Sequence, residues 1–187
     1  MGVVVSSSLA AIAGSVLLAD LVSGVIHWAE DAYARFKPRR KLRLINVIAR
    51  DNKRHHVRPR EFLRRNWWQS SWDLAAIGAV IIAVAYAMGH LSWAVLLFVL
   101  LSVNANQMHK WAHMNPRENP RLVTWLQRLH LLQSPRHHGR HHAGSKDSHY
   151  CVVTNFLNPL LEEVNFWRRL ERLVQRVTGR APKAAYH

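Results

Sequence analysis

The sequence keeps its positive charge apart from its apolar residues, and that partition limits the folds open to it. All 26 Lys and Arg residues lie in two blocks, Arg35–Arg65 and Lys110–Lys183, and none falls in residues 1–34 or 66–109. The zones free of basic residues are the apolar ones. With only 11 acidic residues the formal charge is +15, a balance that suits nucleic acid or an anionic membrane surface. The arrangement decides between them. An ordinary nucleic-acid module does not divide its charge this way, whereas a membrane protein with every basic loop on the cytoplasmic side does. The expected fold is therefore all-α, an integral membrane helical bundle formed by a single domain over residues 1–187, with no nucleic-acid partner. The lone Cys151 excludes an intrachain disulfide and reads as a small buried apolar side chain.

Three spans are expected, at about 3–28, 73–89 and 91–108, with cytosolic His-rich regions at 35–72 and 109–187. The first apolar run is long enough for one crossing of about 20 residues. A signal peptide is the competing reading, but a basic n-region is missing and Asp20 would fall late in its apolar core. Asp20, Gly24, His27 and Asp31 share one helical stripe, with Asp20 or Asp31 placed to orient His27 from behind. Against this, His27 beside Trp28 also reads as an interfacial pair. Trp67, Trp68 and Trp72 resemble an aromatic belt where the second span begins. The apolar hairpin turns at Gly89-His90, which puts His90 on the side away from the basic loops.

The histidines then fall into a pattern. His109 and His113 are four apart on one helix, and Asn106 lies on the same stripe, where it could hold a metal-bound water. In SPRHHGRHH, Ser134 can cap a helix with Pro135 in its first turn, so that His138, His141 and His142 share a face. His137 pairs with His141 at the same spacing. A solvated His-rich tract that collects metal incidentally is the plain alternative. His55 and His56 are adjacent and cannot share a helix face, so two ligands there need an irregular backbone or two metals. His130 reads either as a further ligand or as a polar-face residue. His27, His56, His109, His113, His138, His141 and His142 are too many imidazoles for one metal, and all fall at cytosolic ends of spans or in cytosolic loops. No HExxH motif of a zinc protease is present, and the Glu-rich ligand set of soluble di-iron bundles is missing too. Two iron ions held mainly by nitrogen fit best. At a membrane surface such a site can use O2 to take hydrogen from a lipid chain. Residues 165–179 (NFWRRLERLVQRVTG) form an amphipathic helix ended by Gly179, lying in the interface or packed on the domain.

HKWAH, SPRHHGRHH and the long run from His149 to Pro182, together with DLVSGVIHWAEDAY and HHVRP, resemble the Kua family of lipid desaturases. That family includes plasmanylethanolamine desaturases and the plant plastid desaturase acting on phosphatidylglycerol. The resemblance implies iron ligation by His27, His55, His56, His109, His113, His138, His141 and His142, with His137 and His149 as further candidates. It implies two Fe ions, O2 as co-substrate, a phospholipid substrate in the bilayer and desaturation of plasmanylethanolamine to its vinyl ether. The region after His56, VRPREFLRRNWWQSSWD, is more basic than vinyl-ether-forming members lead one to expect. An acyl-chain desaturase or hydroxylase on the same iron site therefore stays open. Electrons are expected from a separate carrier, cytochrome b5-like or ferredoxin-like, because no flavin, haem or iron–sulfur motif is present. The oligomeric state is left open. A non-catalytic membrane metal-binding or transport protein would place ionisable residues inside several spans, and only Asp20 does so. A basic lipid-surface scaffold sensing pH would disperse its histidines rather than pair them.

Overall fold

A computed structural model describes residues 2–35, 44–143 and 146–183. Part of the basic loop expected after Arg35, residues 36–43, lies outside the described residues, as do 144–145 of the His-rich stretch. Among the described residues the chain is helical throughout, with no strand: α1 (Gly2–Tyr33), α2 (Leu44–Val57), a 3-10 turn (Pro59–Arg64), α3 (Trp67–Ala87), α4 (Trp93–Val103), α5 (Ala105–Ala112), α6 (Arg121–Arg128), α7 (Pro135–His142), α8 (Leu157–Glu163) and α9 (Phe166–Thr178).

Two of these helices are long and apolar enough to cross a membrane, Ser8–Tyr33 of α1 and Trp67–Ala87 of α3. Both leave large apolar side chains uncovered, Leu9, Leu18 and Ile26 on α1 and Ile77, Val80 and Val84 on α3. α3 starts at a capping box in which Asn66 accepts from Gln69 N and the Gln69 side chain accepts from Asn66 N. It ends at a turn where Gly89 adopts φ +69°, a conformation that favours glycine. α4 packs against both α1 and α3. Gly78 makes the α3 approach possible, since a Cβ there would come within 2.8 Å of Val99 and Val103. The third apolar run does not continue as one helix to residue 108. It breaks at Asn104, whose side-chain amide donates to Leu100 O at 2.8 Å and accepts from Trp67 Nε1 at 3.0 Å.

The part of the chain beyond α7 is inserted rather than laid on the surface. Residues Tyr150 to Thr154 are non-helical and almost completely buried. Buried backbone must find partners, and here side chains supply them. Asp20 accepts from Val153 N at 2.9 Å and from Thr154 Oγ1 at 2.5 Å, and Ser23 accepts from Val152 N at 3.2 Å. Asn158 brackets Cys151, accepting from its N–H at 3.0 Å and donating to its carbonyl at 2.9 Å. Gly24 lets this segment close on α1, because a Cβ there would lie 2.6 Å from Cys151 Sγ and 3.0 Å from Trp167. Burial pushes the Cys151 thiol well above its ordinary value, so it is inert packing.

α9 covers the insertion. Trp167 is buried against Trp28, Tyr150 and Cys151, with Phe166, Leu170 and Val174 around it. Leu173 and Val177, on the same expected apolar face, stay exposed. The helix is therefore packed on the domain along one edge of that face and bare along the other.

Candidate metal centre

Four helices deliver histidines to one buried region: His27 from α1, His55 and His56 from α2, His109 from α5 and His113 from its C-cap, and His138, His141 and His142 from α7. A local cap fixes α7, and long-range contacts fix α5. Ser134 caps α7 as its spacing suggests, accepting from His137 N at 3.3 Å, with Pro135 in the first turn. α5 is stapled to the start of α3 by side chains beside its histidines. Lys110 donates to Ser70 Oγ at 2.7 Å and Arg65 O at 2.8 Å, and Asn106 donates to Ser70 O at 2.5 Å.

The side chains form two groups in which the candidate ligand atoms all lie within 4.8 Å of one another: His55, His109, His113, His138 and His142 in one, and His27, Asp31, His56 and His141 in the other. In the larger group the Nε2 atoms converge. His138 Nε2 lies 2.9 Å from His109 Nε2, 2.9 Å from His113 Nε2 and 3.1 Å from His142 Nε2. His113 Nε2 is also 3.2 Å from His55 Nε2 and 3.3 Å from His109 Nε2. One ring N–H cannot satisfy three ring nitrogens, so lone pairs face lone pairs unless a cation sits among them. Nitrogens about 2.1 Å from a common metal and at right angles to one another stand about 3.0 Å apart. The observed separations match that shell.

The smaller group is prepared through its outer atoms. His27 Nδ1 donates to Tyr150 O at 3.1 Å, and His141 Nδ1 donates to Ser148 O at 2.8 Å. A carbonyl only accepts, so each Nδ1 carries the proton and each Nε2 presents a lone pair. Both of these Nε2 atoms, and Asp31 Oδ2, are buried without a hydrogen-bond partner. They face one another, with Asp31 Oδ2 at 3.3 Å from His141 Nε2 and 3.7 Å from His27 Nε2. Asp31 Oδ1 is occupied by Asn52 Nδ2 at 2.6 Å and His56 Nε2 at 2.8 Å.

Burial favours the neutral form of the five rings in the larger group. Burial, then the neighbouring imidazoles, hold His55, His109 and His138 well below the usual histidine value. Burial first and then His141 lower His113 to about 4, and the same causes lower His142. Neutral imidazole is the form that binds metal.

Other expected residues lie elsewhere. His137 accepts from Asn158 at 3.2 Å and meets the His149 ring edge-on, and the His149 backbone N–H donates to Glu162. His130, at φ +62°, accepts from Asn155 at 2.8 Å. Asp20 holds the inserted segment and Asn106 the α3 staple, rather than a histidine or a water. Asp31, expected only behind His27, is inside the smaller group. Its i, i+4 spacing from His27 carried that signal. Asn52, which orients Asp31, had no feature in the sequence beyond lying one turn before His56. His90 sits at the far turn, exposed.

Known proteins resemble this chain over most of its length. Residues 16–185 match the family model described as the lipid desaturase domain. The chain is 34% identical over 173 residues to a "Probable fatty acid desaturase" of Acanthamoeba polyphaga mimivirus, covering 90% of this chain and 82% of that protein. It is 31% identical over 189 residues to "Plasmanylethanolamine desaturase 1" of Mus musculus, covering 94% and 68%. It is also 31% identical over 177 residues to "Plasmanylethanolamine desaturase" of Myxococcus xanthus, covering 89% and 60%. No solved structure matches it. A family match over nearly the whole chain, spanning every histidine of the two groups, means that this chain belongs to the lipid desaturase family.

Proposed function

We propose that the chain is a multi-pass membrane desaturase that binds two iron ions and uses O2 and external electrons to introduce a double bond into a phospholipid chain. The observation that carries the proposal is the pair of adjacent, ligand-ready groups, one of five imidazoles and one of three imidazoles and a carboxylate. Nitrogen-rich sets of this kind suit iron, and two groups suit two ions. α1, α3 and α4 cross the bilayer in this reading. The basic blocks and both histidine groups lie on its cytoplasmic side, with His90 at the opposite end.

Bound iron supplies O2 activation and removal of hydrogen from an unactivated carbon. Taking two hydrogens from the chain while O2 becomes two waters requires two electrons and two protons from outside. A separate cytochrome b5-like or ferredoxin-like protein delivers the electrons. The chain's own residues hold the geometry. Tyr150 O and Ser148 O fix the tautomers of His27 and His141, Asn52 fixes Asp31, and Trp167 with α9 closes the site from water.

The substrate reading is the 1-O-alkyl chain of plasmanylethanolamine, giving the vinyl ether, as the names of two relatives suggest. The viral relative's name favours an acyl chain instead. Both are tested together by expressing the protein in cells supplied with alkyl ether lipid and profiling their lipids by mass spectrometry. An acid-labile vinyl ether supports the first, and a new acyl double bond the second. In parallel, the metal content of gently purified protein is measured beside a His138/His141/His142 triple-Ala variant. Close to two irons per chain, lost in the variant, is expected. One zinc, or no metal in folded protein, overturns the proposal.

A further inference from the structure

The 3-10 turn between α2 and α3 carries an open basic groove that the metal chemistry does not use. Arg58, Pro59, Arg60, Glu61, Leu63 and Arg64 line a cavity of about 630 Å³. Its three guanidinium groups are exposed. Arg58 is paired with Glu61 at 3.0 Å and Arg60 with Glu118 at 2.6 Å. Among the described residues no carboxylate lies within ion-pair distance of Arg64. The lining thus keeps an excess of positive charge around a concave space, with Leu63 as an apolar wall.

The start of α3 sets the depth of the groove. The chain runs from Arg64 through Arg65 and the cap Asn66 straight into α3, whose Trp68 and Trp72 are 67% and 57% exposed. Exposed tryptophans at the start of an apolar helix sit at the headgroup layer, so the groove lies at that level. It also touches the metal-ligand region. Arg60 Nη1 donates to the backbone carbonyl of His113 at 3.5 Å, and the Phe62 ring packs 5.5 Å from His55 and 5.4 Å from His109.

We infer that this groove binds the phosphate of the phospholipid substrate, with Arg58 and Arg64 as its anchors. Guanidinium is the side chain best matched to a phosphate diester, offering paired, planar N–H donors. The inference rests on the desaturase reading for its substrate class. A phosphate held beside His113 brings the glycerol-proximal part of a lipid chain, rather than its far end, toward the metal groups. It also gives a use to basic residues that the vinyl-ether chemistry alone leaves unexplained.

The test reads binding without turnover. Iron-loaded protein in maltoside micelles is mixed with spin-labelled phosphatidylethanolamine or with a diacylglycerol carrying the same labelled chain, and the immobilised fraction is read by EPR. Wild type is expected to favour the phospholipid label by about fivefold, the scale of two exposed charge pairs. R58Q/R64Q should reduce that preference to near one and leave diacylglycerol binding unchanged. R58K/R64K should keep most of it. Both side chains are exposed, and unchanged iron content and melting temperature establish that the variants fold. Equal preference in R58Q/R64Q and wild type overturns the site. Displacement of the label by low-millimolar inorganic phosphate makes the ligand a free anion and overturns the lipid assignment. Selective binding by a protein that desaturates no chain sinks the desaturase reading and leaves the groove standing. Desaturation with unselective wild-type binding does the reverse.

Discussion

His55 and His56 are neighbours on α2 and belong to different ligand groups. His55 Nε2 faces His113 Nε2 at 3.2 Å, and His56 Nε2 faces Asp31 Oδ1 at 2.8 Å. A regular helix turns its side chains by about 100° per residue, so adjacent imidazoles cannot meet one metal. They can serve two metals that flank the helix. The same division recurs on α7, where His142 joins His138 in the larger group and His141 enters the smaller one.

Single substitutions should therefore separate the two metals. His55→Ala is expected to weaken the metal of the larger group, and His56→Ala that of the smaller. Iron content should fall from near two per chain toward one in each, with activity lost in both. His90→Ala should retain both metal and activity. Elemental analysis of folded, detergent-purified variants checks this. Loss of both metals from His90→Ala would sink the two-sided arrangement.

Asp31→Asn keeps the shape and removes the only carboxylate of the smaller group. The amide nitrogen would either donate to His141 Nε2 and occupy the lone pair meant for metal, or face the Asn52 donor and leave a buried contact unmatched. Iron occupancy of the smaller group should drop by 10- to 100-fold in affinity, on the scale of altered metal-site support. Iron retention against a graded chelator measures it.

The division of the chain into apolar and basic stretches was legible from composition, and the paired spacings in HKWAH and RHHGRHH marked the histidines that meet. Periodicity could not show that Asn104 breaks the third apolar run, because that break depends on Leu100 and Trp67. Nor could it show Asp20 turning away from His27. In sequence the two share a stripe, but Asp20 answers the unpaired Val153 N–H and Thr154 hydroxyl, more than a hundred residues later. Long-range hydrogen bonding of an inserted, non-helical segment leaves no local period to read.

The fit of that insertion against α1 should be visible in stability. Asp20→Ala removes both acceptors and strands a buried N–H and a hydroxyl, costing about 2–4 kcal/mol. Gly24→Ala forces a Cβ to 2.6 Å from Cys151 Sγ, an overpacking of about 1–3 kcal/mol. Cys151→Ala in the same chain should recover part of the second loss and none of the first. Thermal unfolding of the variants in detergent reads both, and equal rescue would mean that Cys151 is not the obstacle.

A built site and a solvated His tract differ in their response to pH. His113 and His137 have folded values of about 4 against 6.5 for the free side chain, both lowered first by burial. As pH falls below 6.5 the unfolded chain takes up protons that the folded chain refuses. Metal-free protein should therefore hold the stability contributed by these groups above pH 6.5 and lose it progressively toward pH 4. Metal uptake should follow a different course. In folded protein the five rings of the larger group are held below the ordinary histidine value by burial, so few protons need to leave that group when metal enters. Cobalt(II) affinity at pH 5.5 should stay within several-fold of that at pH 7.5, read from the visible spectrum of protein still folded by circular dichroism. An exposed tract would be about nine-tenths protonated at pH 5.5, and each ligand would then cost about tenfold. A fall of several hundredfold would assign the metal to solvated histidines and remove the basis for a buried two-metal centre.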